Sequence, residues 1–209
     1  NIIDDRTISG DFSWFKSPSA TIKFGAQHKT LGFEYFSKFQ DSVAFRIENA
    51  PVELGSYLKM KYSLSEILIL EPGIRMNYYN VFPDSLYPDL RFGLKYLLTD
   101  DRYINLSVGN YHQFISTFQD DFNPSILDNW IAVDESVAPG KSVQFVLGYE
   151  EYIRNMYKIQ VEGYYKDLKN LLTYEERRSS TDAQVSDEKL SDIVTPADGY
   201  AYGLELFGQ

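Results

Sequence analysis

The sequence predicts an all-β protein, an antiparallel up-and-down barrel whose strands cross a membrane. Three observations predict it. Apolar and polar residues alternate with period two along most of the chain, the connections between alternating stretches are short and long by turns, and 17 Tyr, 14 Phe and 2 Trp make 16% of 209 residues. Successive side chains of a strand face opposite sides, so period two means one apolar and one polar face. Helical spacing is scarce. The longest aliphatic run, Ile67-Leu68-Ile69-Leu70, is far short of the roughly 20 apolar residues a transmembrane helix needs.

The pattern gives about nine strands, taken here in chain order. Ile8, Phe12 and Trp14 oppose Thr7, Ser9, Asp11 and Ser13, and Ile22, Phe24 and Ala26 oppose Thr21, Lys23, Gly25 and Gln27. Leu58, Met60 and Tyr62 oppose Tyr57, Lys59 and Lys61, and Leu68, Leu70, Ile74 and Met76 oppose Glu71, Gly73, Arg75 and Asn77. Leu90, Phe92, Leu94 and Tyr96 oppose Arg91, Gly93 and Lys95, and Ile104, Leu106 and Val108 oppose Asn105, Ser107 and Gly109. The clearest case sets Val143, Phe145, Leu147 and Tyr149 against Ser142, Gln144, Gly148 and Glu150, with only Val146 breaking the polar side. Tyr157, Ile159, Val161, Gly163 and Tyr165 then oppose Lys158, Gln160, Glu162, Tyr164 and Lys166, and Tyr200, Tyr202, Leu204 and Leu206 oppose Ala201, Gly203 and Glu205.

Short turns fall at Lys16–Ser19, Ser65-Glu66, Asp100-Asp101 and Arg154-Asn155, and long polar connections at Ser37–Pro51, Val81–Pro88, Ser116–Pro139 and Glu176–Asp198. A β-sandwich has no reason to keep that order. An outer-membrane barrel has short periplasmic turns and longer outer loops. Trp14, Tyr62, Tyr78, Tyr79, Tyr96, Tyr103, Tyr149, Tyr157, Tyr165 and Tyr200 fall near strand ends, where amphipathic rings suit the membrane–water boundary.

Composition excludes several classes. Thirty acidic residues against 20 basic ones give a net charge of −10, the wrong balance for nucleic acid. With no Cys there is no disulfide scaffold, thiolate metal site or thiol nucleophile.

Three stretches carry a resemblance: Val137-Ala138-Pro139-Gly140-Lys141-Ser142 leading to Gly148-Tyr149-Glu150, then Tyr164-Tyr165-Lys166-Asp167-Leu168-Lys169-Asn170-Leu171-Leu172, then Asp198-Gly199-Tyr200-Ala201-Tyr202-Gly203-Leu204-Glu205-Leu206. In this order they resemble the barrel of TonB-dependent outer-membrane receptors of the Bacteroidetes type, well over the last third and by pattern over the rest. The resemblance implies a barrel of about 22 strands plugged by a globular domain, importing a scarce nutrient such as a siderophore, glycan or peptide. It implies a bacterial outer-membrane location, contact with lipid bilayer and lipopolysaccharide, and TonB acting through the plug. A surface lipoprotein lid belongs to the same type. Residues 1–209 then read as an internal barrel segment, lacking the plug and the closing strand. At roughly 23 residues per strand and connection, 22 strands need on the order of 500 residues.

Ligand contacts are expected in the outer loops, where exposed aromatics and Arg make good anchors. The candidates are Phe118, Phe122 and Trp130 in one loop and Arg177 and Arg178 in another. His28 and His112, far apart, read as surface or interface histidines. The acidic pairs, Glu150-Glu151 among them, read as solvated charge, and Asp120-Asp121 lacks the alternating ligands of a calcium loop. No cofactor is expected, and no motif supports catalysis. The alternatives are an extracellular carbohydrate-binding or adhesin module, whose apolar faces would meet in a core, and a small complete barrel of eight to ten strands.

Overall fold

The computed structural model describes residues 2–39, 42–83, 86–118, 129–154, 156–174, 190–192 and 194–209. Its strands are β1 (Ile2–Ser17), β2 (Ala20–Phe39), β3 (Ser42–Asn49), β4 (Val52–Ser63), β5 (Leu68–Tyr79), β6 (Leu86–Thr99), β7 (Arg102–Gln113), β8 (Ile115–Phe118), β9 (Asn129–Ala132), β10 (Gly140–Ile153), β11 (Tyr157–Tyr174) and β12 (Val194–Gly208). Nine of them form one antiparallel meander in the order β1-β2-β4-β5-β6-β7-β10-β11-β12. These are the nine strands that the alternation predicts, joined by tight turns at one end.

Two connections read as loops contain strands. β4 leaves β2 at the pair Thr30↔Val52, so the upper part of the 20-residue β2 needs another partner, and β3 pairs with it from Phe33 upward. β8 and β9 form a separate hairpin inside the long β7–β10 connection. Such four-residue strands are too short to show a period.

The two faces are the reverse of a soluble sheet. Ile8 (77% exposed), Leu147 (59%) and Leu204 (83%) stand on an apolar face that no second layer among the described residues covers, whereas Asn77, Asp89 and Glu150 are buried on the polar one. Glu150 is therefore not solvated charge: Lys95 Nζ and Lys158 Nζ flank it at 3.7 and 3.4 Å. An adhesin-like core would have brought the apolar faces together, and they lie open instead.

The sheet curls toward its polar face. Cα atoms of β9 come within 8 Å of β2, and those of β8 within 8 Å of β11. β2 and β11 are six positions apart in the sheet, about 29 Å if it were flat at about 4.8 Å per strand. The hairpin bridges a shorter chord of about 21 Å, so the wall bends around it. The side chains it meets on β2, Leu31 and Phe33, share the face of Lys23 and Gly25. The polar face is thus concave and the apolar one convex.

Tyr62, Tyr96 and Tyr157 stand on the convex face near the tight turns, and Tyr78, Tyr165 and Tyr200 on the same face higher up. Tyr157 and Tyr165 are eight residues apart, about 26 Å along an extended strand and about 20 Å in height at a tilt of about 40°, which spans most of an apolar band about 25 Å tall. Tyr79 and Tyr103 depart from the expected girdles. Each shares parity with the polar residues of its strand, and Tyr79 is fully buried on the concave side. The sheet does not close, and β1 and β12 are its edges.

Candidate functional site

The concave face is a ladder of charges neutralised across strands. Asp11 of β1 accepts the Tyr57 hydroxyl of β4 at 2.6 Å, and Lys59 of β4 pairs with Glu71 of β5 at 2.6 Å. Arg91 of β6 lies over the Tyr111 ring of β7, 4.6 Å from its centroid, and Lys95 over Tyr103 at 4.0 Å. Such cross-strand neighbours are the unit of sheet stabilisation. Glycines make room for the large side chains. A Cβ on Gly25 would lie 2.5 Å from Asp11 Oδ1 and 2.7 Å from both the Gly10 carbonyl and the Tyr57 ring. Around Gly73 and Gly93 the wall opens into a groove of about 430 Å³ edged by Lys59, Arg75, Arg91 and Tyr111.

Above the groove, Asp89 joins three strands. Its carboxylate accepts Asn77 Nδ2 of β5 at 3.0 Å, Asn110 Nδ2 of β7 at 3.3 Å and the His112 backbone N–H at 3.4 Å. His112 Nδ1 lies 2.7 Å from Asp89 Oδ1. Arg75 Nε in turn donates to Asn77 Oδ1 at 2.6 Å. A carboxylate that is 2% exposed needs this many donors, because burying it unpaired would be costly. Pro88 has no N–H to offer β7, and the Asn110 side chain continues the ladder there. Its Oδ1 accepts Leu90 N–H at 2.8 Å and its Nδ2 donates to the Pro88 carbonyl at 2.9 Å.

Higher still lies the mouth, which holds nearly all the buried apolar side chains among the described residues; Ala20 is the exception. Phe114 stacks on Tyr79 with centroids 4.6 Å apart and meets Tyr87 edge-on at 5.1 Å, joined by Val133. Ala132 packs on Leu31 and Phe33, while Ile131 and Val137 pack on Leu190 and Val194. The Tyr79 hydroxyl donates to the Val133 carbonyl at 2.9 Å. Burial first, then the nearby Glu53 and Asp134 carboxylates, push that phenol well above its ordinary range. The described part of the β7–β10 connection therefore folds inward against the wall at the mouth.

The three stretches that carry the resemblance meet at one point beside this core. Asn170 sits at a bulge in β11 with φ 54°, a left-handed conformation Asn tolerates better than most residues. Its Nδ2 donates to the Pro139 carbonyl at 3.2 Å and its backbone N–H to Asp198 Oδ1 at 3.3 Å. Lys169 Nζ closes on Asp198 Oδ2 at 3.0 Å. The lysine and then the Asn170 amide hold the Asp198 carboxyl below its ordinary range, and Asp198 holds the lysine above its own.

The expected ligand contacts divide. Phe118 ends β8, where it pairs with Asn129. Trp130, opposite Thr117, stays 46% exposed while Ile131 beside it is buried, so the hairpin turns this indole outward. Phe122, Arg177 and Arg178 lie outside the described residues. His112 is neither surface nor interface: it is half-buried in the Asp89 cluster, with its ring 5.2 Å from that of Tyr87. Asn77, Asp89 and Asn110 are the polar residues that sequence reasoning leaves out. Parity places Asn77 beside Arg75, but the cross-strand register that joins them to Asp89 is not legible in one strand.

Among the described residues no group of three or more His, Asp or Glu could hold a metal. No curated protein matches the chain. Solved structures share its fold at low identity. The siderophore receptor PirA from Pseudomonas aeruginosa is 12% identical with TM-score 0.72, over 98% of this chain and 39% of that one. The FrpB iron transporter from Neisseria meningitidis is 12% identical with TM-score 0.68, over 99% and 33%. A ferric enterobactin receptor (PfeA) mutant from Pseudomonas aeruginosa is 13% identical with TM-score 0.64, over 98% and 32%. The chain thus spans about a third to two fifths of the length of these receptors. The family model described as TonB dependent receptor-like, beta-barrel matches residues 4–209. With its bare convex face, polar concave face and matching sheet, the chain belongs to that β-barrel family of outer-membrane transport receptors.

Proposed function

We propose that residues 1–209 form part of the wall of a larger receptor, of about 22 strands, that imports a scarce nutrient across a bacterial outer membrane. The inverted faces of the sheet carry this reading: the apolar side suits lipid and the charged concave side suits a plugged lumen. Both sheet edges carry unpaired backbone groups, which lipid does not satisfy, so β1 and β12 pair with further strands there. Import is driven by TonB through a plug segment, and the outer rim meets lipopolysaccharide. The Bacteroidetes-type motifs at Tyr164–Leu172 and Asp198–Leu206 add a surface lipoprotein lid to the reading. PirA, PfeA and FrpB are described as siderophore, ferric enterobactin and iron proteins, which makes a ferric siderophore the first cargo to test, ahead of glycan and peptide. Trp130, turned outward from the hairpin, is the first contact to test, and Phe118, Phe122, Arg177 and Arg178 are the further candidates.

The test expresses the complete receptor in a TonB-proficient strain lacking its own iron receptors, with ferric enterobactin as iron source. Growth that requires both the receptor and TonB is expected, and Trp130→Ala should weaken ferric enterobactin binding by about tenfold. Growth on a glycan or peptide instead would reassign the cargo. A receptor absent from the outer-membrane fraction would overturn the whole reading.

A further inference from the structure

The β7–β10 and β11–β12 connections meet through Asp134, whose two carboxylate oxygens divide their partners. Its Oδ1 stays within its own connection, accepting the Ser136 N–H at 2.8 Å and the Ser136 hydroxyl. Its Oδ2 crosses to the other, accepting the Leu190 N–H at 2.9 Å at the start of the short 3-10 turn Leu190–Asp192. The Ser136 hydroxyl crosses too, accepting the Ser191 N–H at 3.0 Å. Around these bonds Ile131 and Val137 of one connection pack on Leu190 of the other and on Val194 at the start of β12, all four nearly inaccessible to water. A buried N–H without its acceptor is expensive, so Leu190, 1% exposed, cannot stay in place once Asp134 moves.

We infer that Ile131–Val137 of one connection and Leu190–Asp192 of the other form one latched unit, with Asp134 as its positioning residue, so that displacing either segment moves both. The wall stops the unit from drifting as a whole. Ala132 is seated against Leu31 and Phe33 of β2, and Leu172 of β11 packs against the cluster that holds Ile131 and Val137 and the one that holds Val133. The latch is independent of what the receptor carries.

Hydrogen exchange measured by mass spectrometry on the complete receptor in detergent micelles tests it without any ligand. In Asp134→Ala, amides of Val133–Val137 and of Leu190–Ser191 should both lose protection by about tenfold, as removal of a buried acceptor predicts. Peptides of β10 should exchange as in the parent, which separates a released latch from a damaged barrel. Should Asp134→Ala fail to assemble, Ser136→Ala carries the test: it removes the acceptor for Ser191 and a donor to Asp134, so the same two segments should loosen by a smaller factor. Loosening of Val133–Val137 alone, or of neither segment, would overturn the inference.

Discussion

Single residues in this wall are chosen for what lies across the strand from them. Gly25 is the clearest case, since the space of its missing side chain is taken by Asp11 and Tyr57 and its backbone neighbour, the Gly10 carbonyl, cannot yield. Gly25→Ala should cost about 1–3 kcal/mol, read as a lower denaturant midpoint of the complete receptor. Gly10→Ala, whose nearest neighbour would be 4.0 Å away, should leave the midpoint where it is. Residue identity alone marks neither glycine. Asp89 and His112 are likewise 23 positions apart, and they meet only because β6 and β7 pair in one register. Tyr79 and Tyr103 are different: their parity with Asn77 and Asn105 was legible, and nearness to a strand end was the wrong guide.

At the scale of elements, the strands of the meander and their tight turns were legible because alternation is local and spans each strand. β3, β8 and β9 were not, because each is defined by its partner. The bulge at Asn170 shows how a recognisable motif earns its shape: the Lys169-Asn170 step, Pro139 and Asp198 clamp two strands to the start of a third. The clamp predicts a pH response. Asp198 has a folded-state pKa below its unfolded one, so its contribution is fully present above the ordinary aspartate range and lost as pH falls through the folded value. The difference in melting temperature between the parent receptor and Asp198→Asn should therefore hold steady from pH 7 to 5. It should shrink below about pH 4, and a difference unchanged down to pH 2.5 would remove the clamp from the account.

For the whole molecule, the two faces make opposite demands on one strand. Leu147 stands on the convex face between the tyrosine rows, and Gln144 on the concave face of the same β10. Leu147→Arg should cost about 2–4 kcal/mol of folding stability in bilayers, while Gln144→Arg should cost less than about 1 kcal/mol. Equal costs would mean that the convex face does not meet lipid. The core at the mouth has a consequence in time. It gathers Leu31, Tyr79, Phe114, Val133, Leu190 and Val194 from most of the chain's length, whereas each hairpin of the wall needs only its neighbour. Closing such distant contacts is slow. The hairpins of the wall are therefore expected to pair first and the mouth to be finished last. Until then those apolar side chains lack the partners that cover them in the finished wall.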